Sequence, residues 1–388
     1  MNYILYDGSV RETLLPFTFT RPVAEIRLGT LTISEKWEKY LGTTVTHLTE
    51  EYLEEKYPMV EFSENIFIDA SLLPTENLAE AISFLGHEQL LTKNGEILAF
   101  FADDSQQNPN FDNYECIEYA EYFEQIHSKT DLFELNATAI ASDFKLLTED
   151  RNSQPISKSN QVICPENVFL EVGVTLECCI LNASDGPIYI GKNATVLEGA
   201  MIRGPFSLGE SSVVKMGAKI YGATTIGAQC TVGGELKNVV IFGNSNKGHD
   251  GYLGNSVIGE WCNIGADTNI SNMKNTHGTI SVWDYSTENF EDTNLQFCGV
   301  FMGDHCKTAI NTMLNSGTVL GVSSNVFGSG FPNKHTASFQ WGIGEERQPY
   351  MLEKALEVAE KMYALKKEPF SAVDQRILQE VFDETKTR

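Results

Sequence analysis

The stretch IGKNATVLEGAMIRGPFSLGESSVVKMGAKIYGATTIGAQCTV, residues 190–232, decides the fold. A branched aliphatic residue occupies every sixth position, and glycine follows several of these residues. A six-residue period fits neither a helix face nor an alternating strand, but it is typical of a parallel β-helix in which each hexapeptide forms one flat face. The side chains predicted to point into the prism are Ile190, Val196, Ile202, Leu208, Val214, Ile220, Ile226 and Val232.

The same period extends the predicted β-helix in both directions, and its interruptions mark candidate loops. A Gly- and Asn-rich run breaks the period between Val232 and Ile258, and residues 283–298 read as an insertion. Because solenoid loops often carry binding sites, we expect the first interruption to leave the prism as a loop. The outer repeats are Val162, Val168, Val174 and Ile180 upstream, then Ile258, Ile264 and Ile270, then Met302, Thr308, Leu314, Leu320 and Val326 downstream.

The repeat resembles that of the hexapeptide-repeat transferases, and this resemblance implies the left-handed sense of the β-helix. Inside the interruption, the chain is similar to the acetyltransferase domain of the GlmU-like family. The matching motifs are Glu235-Leu236-Lys237, the run from Asn246 to Gly254 (NKGHDGYLG), and Asn263-Ile264-Gly265-Ala266-Asp267. A plain β-solenoid that serves only as a scaffold is the alternative.

The resemblance to the GlmU-like family implies a set of roles in acetyl transfer. His249 corresponds to the general base, and a free histidine, with a pKa near 6.5, is suited to accept a proton at neutral pH. The other implied roles are sugar-phosphate and hydroxyl contacts by Lys219, Lys237, Tyr252 and Asn263, and acetyl-CoA contacts by Ala266 and Asn272. Where the family has Asn-Tyr-Asp, this chain has Asn272-Met273-Lys274. The sequence therefore leaves open whether the acceptor is glucosamine 1-phosphate or another amino-sugar phosphate.

Residues 1–150 resemble a shortened, divergent sugar nucleotidyltransferase with a Rossmann-like α/β fold. A predicted strand at 3–6 leads into DGSVRETLLPFT, and a second predicted strand ends at Asp69 before a helix near 74–84. The resemblance implies that Gly8, Arg11 and Arg21 bind the nucleotide, with UTP as substrate, and that Asp69 binds Mg²⁺. The expected Pro-Lys is Pro22-Val23, so the family's lysine is absent at its position, where Arg21 or Arg27 would substitute for it.

Charge distinguishes the two halves of the chain. The whole chain of 388 residues has a formal net charge of −25, and residues 1–150 carry 28 acidic and 9 basic side chains, net −19. Residues 192–250 carry six basic and four acidic side chains, net +2, which suits an anionic sugar phosphate and CoA. Such an acidic protein is not expected to bind nucleic acid.

Several other classes of protein are disfavoured by the sequence. No signal peptide or long apolar run is present, and the eight cysteines include no CxxC pair, so we expect a cytoplasmic protein that makes no membrane contact. Some β-helix proteins bind zinc through three histidines, but the close His-x4-His pair of such sites is missing.

The sequence thus predicts three segments. Residues 1–150 form the nucleotidyltransferase-like domain, 160–345 the left-handed β-helix, and 346–388 a helical tail that caps the solenoid or joins copies in a homotrimer. The predicted function is acetyl transfer from acetyl-CoA to an amino-sugar phosphate such as glucosamine 1-phosphate, alone or coupled to nucleotidyl transfer that forms UDP-N-acetylglucosamine or a related nucleotide sugar. The alternatives are a nucleotidyltransferase whose β-helix takes another acceptor, and a non-catalytic sensor or scaffold.

Overall fold

The chain folds into two compact units. The structure, a computed structural model, describes residues 1–103 and 109–386. The first unit contains Met1–Leu14, Thr20–Ile26 and Leu31–Ser128. The second contains Leu15–Phe19, Arg27–Thr30 and the described residues from Lys129 onward. Two short segments from the N-terminal part of the chain therefore belong to the second unit.

The first unit is built on a six-stranded mixed sheet. Its strands, in spatial order, are Thr46–Leu48, Asn2–Tyr6, Glu64–Asp69, Glu96–Asp103, Gln89–Lys93 and Glu115–Glu118. Strand 2–6 is parallel to both of its neighbours, whereas strand 96–103 is antiparallel to both of its own. The helices are Val10–Thr13, Ile33–Leu41 and Glu76–Ser83. The carboxyl ends of strands 2–6 and 64–69 therefore lie side by side.

The second unit is a parallel β-solenoid with three faces. The first face holds Gln161–Ile163, Ile180–Asn182, Met201–Arg203, Lys219–Tyr221 and the starts of the long strands Glu235–Gly243 and Tyr252–Ile258. The second face holds Val168–Leu170, Ile188–Ile190, Phe206–Leu208, Thr224–Ala228, the ends of both long strands, Val300–Met302, Thr318–Leu320 and His335–Thr336. The third face holds Thr175–Leu176, Thr195–Val196, Val213–Val214, Thr231–Val232, Asn246–Lys247, Lys307–Thr308, Asn325–Val326 and Gln340–Trp341.

The aliphatic period builds the solenoid core as the sequence predicts. All eight residues of the central repeat are at most 2 % exposed, and each such side chain contributes up to about 1.5–3 kcal/mol through its burial. Ile180 is an exception, because it pairs with Met201 on the outside while Leu181 points inward beside Ile202. The prediction for Ile180 is therefore wrong by one residue, and in a strand that shift reverses the side chain.

The first interruption of the period is a shortened coil, which corrects the prediction of a loop. Ile226 pairs with Ile241, and Val232 pairs with Lys247, so these turns advance by 15 residues. The full turns before them advance by 18, as in the pairing of Val214 with Val232. Because each of these turns is three residues shorter, the six-residue period is interrupted in the sequence, although the strands continue to pair. Between these strands the chain has short turns at 233–234, 244–245 and 248–251.

The second interruption leaves the coils but packs back on the second face, where Trp283 stacks on His335 with ring centroids 4.2 Å apart. It contains an antiparallel hairpin of Ser281–Asp284 and Asn289–Asp292. Cys298 then donates its amide to the carbonyl of Asn272, and Gly299 donates to that of Asn255, which returns the chain to the coils. Two short strands of the coils before and after this hairpin, Asn269–Ile270 and Met313–Leu314, pair in parallel.

Helices cover two faces of the solenoid. On the second face, Asn136 at the start of helix Asn136–Thr148 donates to the carbonyl of Ala223 and accepts from the Thr225 hydroxyl; helix Asp131–Glu134 precedes it. On the third face, helix Leu352–Lys366 stacks Tyr363 on Trp261, with ring centroids 3.7 Å apart. Helix Ala372–Thr385 packs Phe382 against Phe339, and strand Gln348–Pro349 pairs with Gln340–Trp341. The first tail helix thus lies along the side of the coils rather than over their end.

No helix among the described residues is long and apolar enough to cross a membrane.

Candidate functional site

Two columns of outward side chains run across the first face of the solenoid. In one column Lys219 lies beside Glu235, and Glu235 lies beside Tyr252. In the other, Tyr221 lies beside Lys237, and Lys237 lies beside Gly254. Because alternate residues of a strand point to the same side, the parallel register brings both lysines and Tyr252 onto one surface. Glu235 and Tyr221 were not predicted as members of this site.

The second lysine of the surface is framed by aromatic rings. Its ammonium nitrogen, Lys237 Nζ, lies 5.8 Å from the ring centroid of Tyr221 and 6.0 Å from that of Phe297. The Tyr221 hydroxyl donates to the Glu235 carboxylate, which raises the pKa of Tyr221 to about 12. The tyrosine therefore stays neutral and keeps its ring beside the lysine. Phe297 belongs to the insertion, so that segment contributes to the site.

Tyr252 is held by an amide network on the same surface. Asn272 Nδ2 donates to the Tyr252 hydroxyl at 3.0 Å and to Asn255 Oδ1 at 2.8 Å. A Cβ atom at Gly254 would lie 2.3 Å from the Tyr252 hydroxyl and 2.9 Å from Asn272 Nδ2. The glycine thus leaves room for the ring. This contact between Asn272 and Tyr252 differs from the acetyl-CoA contact that the sequence suggests for Asn272.

His249 lies in the exposed turn directly before the strand that carries Tyr252. The backbone of this turn is tied to Lys247, whose Nζ donates to the carbonyl of His249 at 2.6 Å. Lys247 is 1 % exposed, and burial lowers its pKa to about 8. The imidazole is therefore open to solvent above a fixed backbone.

Two other predicted residues lie away from the first face. Asn263 is exposed on the third face, where its backbone bridges Asn246 and Lys307. Ala266 follows in the turn that leads back toward the first face, and its carbonyl accepts from the Asn311 amide. The structure thus brings together Lys219, Lys237, Tyr252 and Asn272, and it places Asn263 around the corner of the prism.

In the first unit, the predicted glycine and metal ligand meet at the carboxyl ends of two parallel strands. Tyr6 pairs with Asp69, and a Cβ atom at Gly8 would lie 3.7 Å from Asp69 Oδ2. Gly8 has φ +58°, a left-handed conformation that favours glycine. Asp69 Oδ1 accepts from the amide and hydroxyl of Ser71, while burial raises the pKa of the carboxyl group.

Both arginines predicted to bind the nucleotide are buried in the first unit. Arg11 is 9 % exposed; its Nη2 donates to the Tyr52 hydroxyl at 2.8 Å, and its Nε lies 3.6 Å from carboxylate oxygens of Asp7 and Glu50. Arg21 is 5 % exposed. These cations therefore already interact with groups inside the protein. No sequence signal distinguishes a buried arginine from one that faces a ligand.

Asp7 is a further polar residue at this strand end that sequence reasoning missed. Its Oδ1 accepts from the Val23 amide at 2.7 Å, and its Oδ2 accepts from the Thr49 hydroxyl at 2.6 Å. Burial raises the pKa of Asp7. Val23 occupies the place where the family resemblance leads one to expect a lysine, and here its backbone, rather than a side-chain cation, makes the polar contact.

Comparison with known proteins gives a partial match. Residues 3–152 match the family described as sugar nucleotidyl transferase. The bifunctional protein GlmU of Methanocaldococcus jannaschii is 31 % identical over 87 residues, which cover 22 % of this chain and 21 % of that protein. The GlmU protein of Methanococcus aeolicus is 29 % identical over 90 residues, 23 % of this chain and 21 % of that protein. The match thus spans about a fifth of the length of these curated relatives.

Solved structures include distant neighbours. A UDP-N-acetylglucosamine acyltransferase from Francisella novicida aligns with 58 % of this chain and 87 % of its own, at 10 % identity and a TM-score of 0.31. At that TM-score the alignment supports no conclusion about this chain. Over residues 3–152, however, the chain is similar to sugar nucleotidyl transferases, and together with the two relatives this similarity confirms the resemblance to a divergent GlmU-like protein.

Proposed function

We propose that the second unit transfers an acetyl group from acetyl-CoA to the amine of an amino-sugar phosphate, with glucosamine 1-phosphate as the reference acceptor. The observation that carries the proposal is the surface of Lys219, Lys237 and Tyr252, which begins directly after the exposed His249 turn and whose one intervening carboxylate, Glu235, accepts a hydrogen bond from Tyr221. Two lysines on one surface suit a phosphate as point charges. Two aromatic rings flanking Lys237 add apolar surface against which a sugar ring packs.

The proposed reaction assigns one role to each group. The amine nitrogen attacks the thioester carbonyl, the new C–N bond forms, and the C–S bond breaks. His249 removes a proton from the attacking amine and returns one to the departing CoA thiolate, so that protons balance. Lys237 and Lys219 hold the phosphate, and Tyr252, oriented by Asn272, contacts a sugar hydroxyl.

A homotrimer is part of the proposal because the predicted residues lie on two faces of one prism. Asn263 is on the third face and Tyr252 on the first, so both reach one acceptor if copies pack side by side. Ala266, in the turn between these faces, is the residue proposed to contact acetyl-CoA. The same proposal includes the left-handed sense of the solenoid and a cytoplasmic location. It also includes the division of the chain into a nucleotidyltransferase-like domain at 1–150, a β-helix at 160–345 and a helical tail at 346–388.

The first unit favours a second candidate function, sugar-1-phosphate nucleotidyl transfer from UTP. Gly8 and Asp69 meet at the end of two parallel strands, in the segment that matches sugar nucleotidyl transferases. A carboxylate with one oxygen facing the glycine turn fits Mg²⁺, which binds through one or two carboxylates together with substrate phosphates. Bound Mg²⁺ would neutralise phosphate charge. The buried arginines are not part of this proposal.

The test of acetyl transfer is thiol release from acetyl-CoA, measured with glucosamine 1-phosphate and with other amino-sugar phosphates. We expect turnover by the wild type and loss of turnover in His249→Ala. If no amino-sugar phosphate releases CoA, the proposal fails and a sensor or scaffold role takes its place. Pyrophosphate release from UTP and N-acetylglucosamine 1-phosphate, wild type against Asp69→Asn, tests the first unit separately.

A further inference from the structure

A lysine occupies an interior position of the solenoid. On the third face, Val196 pairs with Val214, Val214 with Val232, and Val232 with Lys247, so the lysine takes the inward place of a valine. Val196, Val214 and Val232 are at most 1 % exposed, and Lys247 itself is 1 % exposed. For packing alone, an aliphatic residue is the better choice there, because burying an ammonium group carries a large desolvation penalty.

Three backbone carbonyls compensate the buried ammonium. Lys247 Nζ donates to the carbonyl oxygen of Gly233 at 3.1 Å, of His249 at 2.6 Å and of Asp250 at 3.3 Å. The first lies on the preceding coil, and the other two belong to the turn that carries His249. The side chain therefore runs back under its own turn and joins that turn to the neighbouring coil.

The same turn is anchored at its outer side by two amides. Asp267 donates its amide to the carbonyl of Asp250 at 3.1 Å, and Glu235 donates its amide to that of Gly251 at 3.2 Å. Gly251 has φ +112°, and a Cβ atom there would lie 2.2 Å from the Thr268 carbonyl oxygen. The turn is thus held between two coils, and Lys247 Nζ donates to its carbonyls from beneath.

We propose that Lys247 is a positioning residue that fixes the backbone of the His249 turn, and through it the direction of the imidazole. The inference rests on the proposed role of His249. It explains why a charge is buried at the coil that carries the histidine, whereas three preceding coils have valine in this column. Burial lowers the pKa of Lys247 to about 8, which is consistent with an amine held by neutral carbonyls without a carboxylate bonded to it.

The test compares Lys247→Met with Val196→Ala. The methionine keeps the length and apolar stem of the lysine but donates no hydrogen bond. Val196→Ala disturbs the same interior column three coils away and serves as the matched control. Hydrogen exchange of the full-length protein is followed at the amides of Glu235 and Asp267, which donate to the turn. We expect at least tenfold faster exchange at both in Lys247→Met and no change in Val196→Ala.

Acetyl transfer is the second readout. We expect kcat to fall at least tenfold in Lys247→Met, while KM for the amino-sugar phosphate changes less than twofold, because the phosphate site is on the neighbouring strands. The kcat of Lys247→Gln, which keeps a hydrogen-bond donor, should lie between that of the wild type and that of Lys247→Met. Unchanged exchange in Lys247→Met, or exchange equal to that of Val196→Ala, overturns the inference.

The two readouts separate this inference from the proposed function. If the wild type transfers no acetyl group while Lys247→Met still exchanges faster at Glu235 and Asp267, the anchoring of the turn stands and the role of His249 falls. If Lys247→Met does not fold, the exchange comparison is made with Lys247→Val, which puts the residue of the preceding coils at this position and donates no hydrogen bond; unchanged exchange at both amides in that variant again overturns the inference.

Discussion

The two units differ in the exposure of the basic side chains of their motifs. In the second unit, Lys219 and Lys237 stand on an outward surface where a ligand can reach them. In the first unit, Arg11 and Arg21 are at most 9 % exposed, and Arg11 is bonded to Tyr52 beside Asp7 and Glu50. A basic residue in a motif therefore indicates a phosphate site only if its side chain remains unsatisfied by the protein. By this criterion the surface of Lys219, Lys237 and Tyr252 is the stronger candidate for a phosphate site.

Removal of the proposed base has the largest expected effect on this comparison. His249→Ala should lower kcat for acetyl transfer by about 10²–10⁴-fold, the usual contribution of general base catalysis. The melting temperature should not change, because the side chain is exposed. His277→Ala, at an exposed histidine that precedes the 283–298 insertion, is the matched control. Equal activity of the two variants in a CoA-release assay would show that His249 is not the base.

Removal of the framed lysine should affect substrate binding. Lys237→Met should raise KM for the amino-sugar phosphate by about 10- to 100-fold, because a charge-assisted contact is worth about 1.5–3 kcal/mol. kcat should change much less. Lys215→Met, an exposed lysine outside the two columns, provides the control. A KM that stays at the wild-type value would place the phosphate elsewhere.

Removal of a buried arginine should affect stability rather than binding. Arg11→Met leaves the Asp7 carboxylate without its nearby cation, so the free energy of unfolding of the first unit should fall by about 3 kcal/mol. UTP affinity should change less than threefold by calorimetry. A tenfold loss of UTP affinity with unchanged stability would instead support the nucleotide-binding role that the sequence implies for Arg11.

The smallest expected effect is a dependence of stability on pH at Lys247. Because its pKa in the folded protein is about 8, below the usual 10.5, the folded state loses its proton first as pH rises. Wild-type stability relative to Lys247→Met should therefore be constant below pH 8 and increase from pH 8 to 10, by at most about 1.4 kcal/mol per pH unit. Denaturant titrations at pH 7 and 10 measure this difference. An unchanged difference would mean that the ammonium is not desolvated.

The solenoid and part of its site were predictable, because they depend on short-range patterns. The six-residue period places the aliphatic residues inward. The motifs that contain Lys237 and Tyr252 lie on neighbouring, paired strands. The shortened coil was not predictable. A coil of 15 residues interrupts the six-residue period in the same way as a loop does, so the period alone cannot distinguish the two. Phe297 was also missed, because the insertion has no repeat that reveals where its end returns.

The sequence by itself determined the parallel β-solenoid, because a local period of six decides which side chains face the core of every coil. It also determined where the charge lies, with net −19 on residues 1–150. Only the tertiary structure decided that Lys247 points inward beneath His249, that Tyr221 and Phe297 frame Lys237, and that Arg11 is buried. These outcomes depend on which residues become neighbours across coils and sheets, and that is set by register and packing rather than by any local pattern.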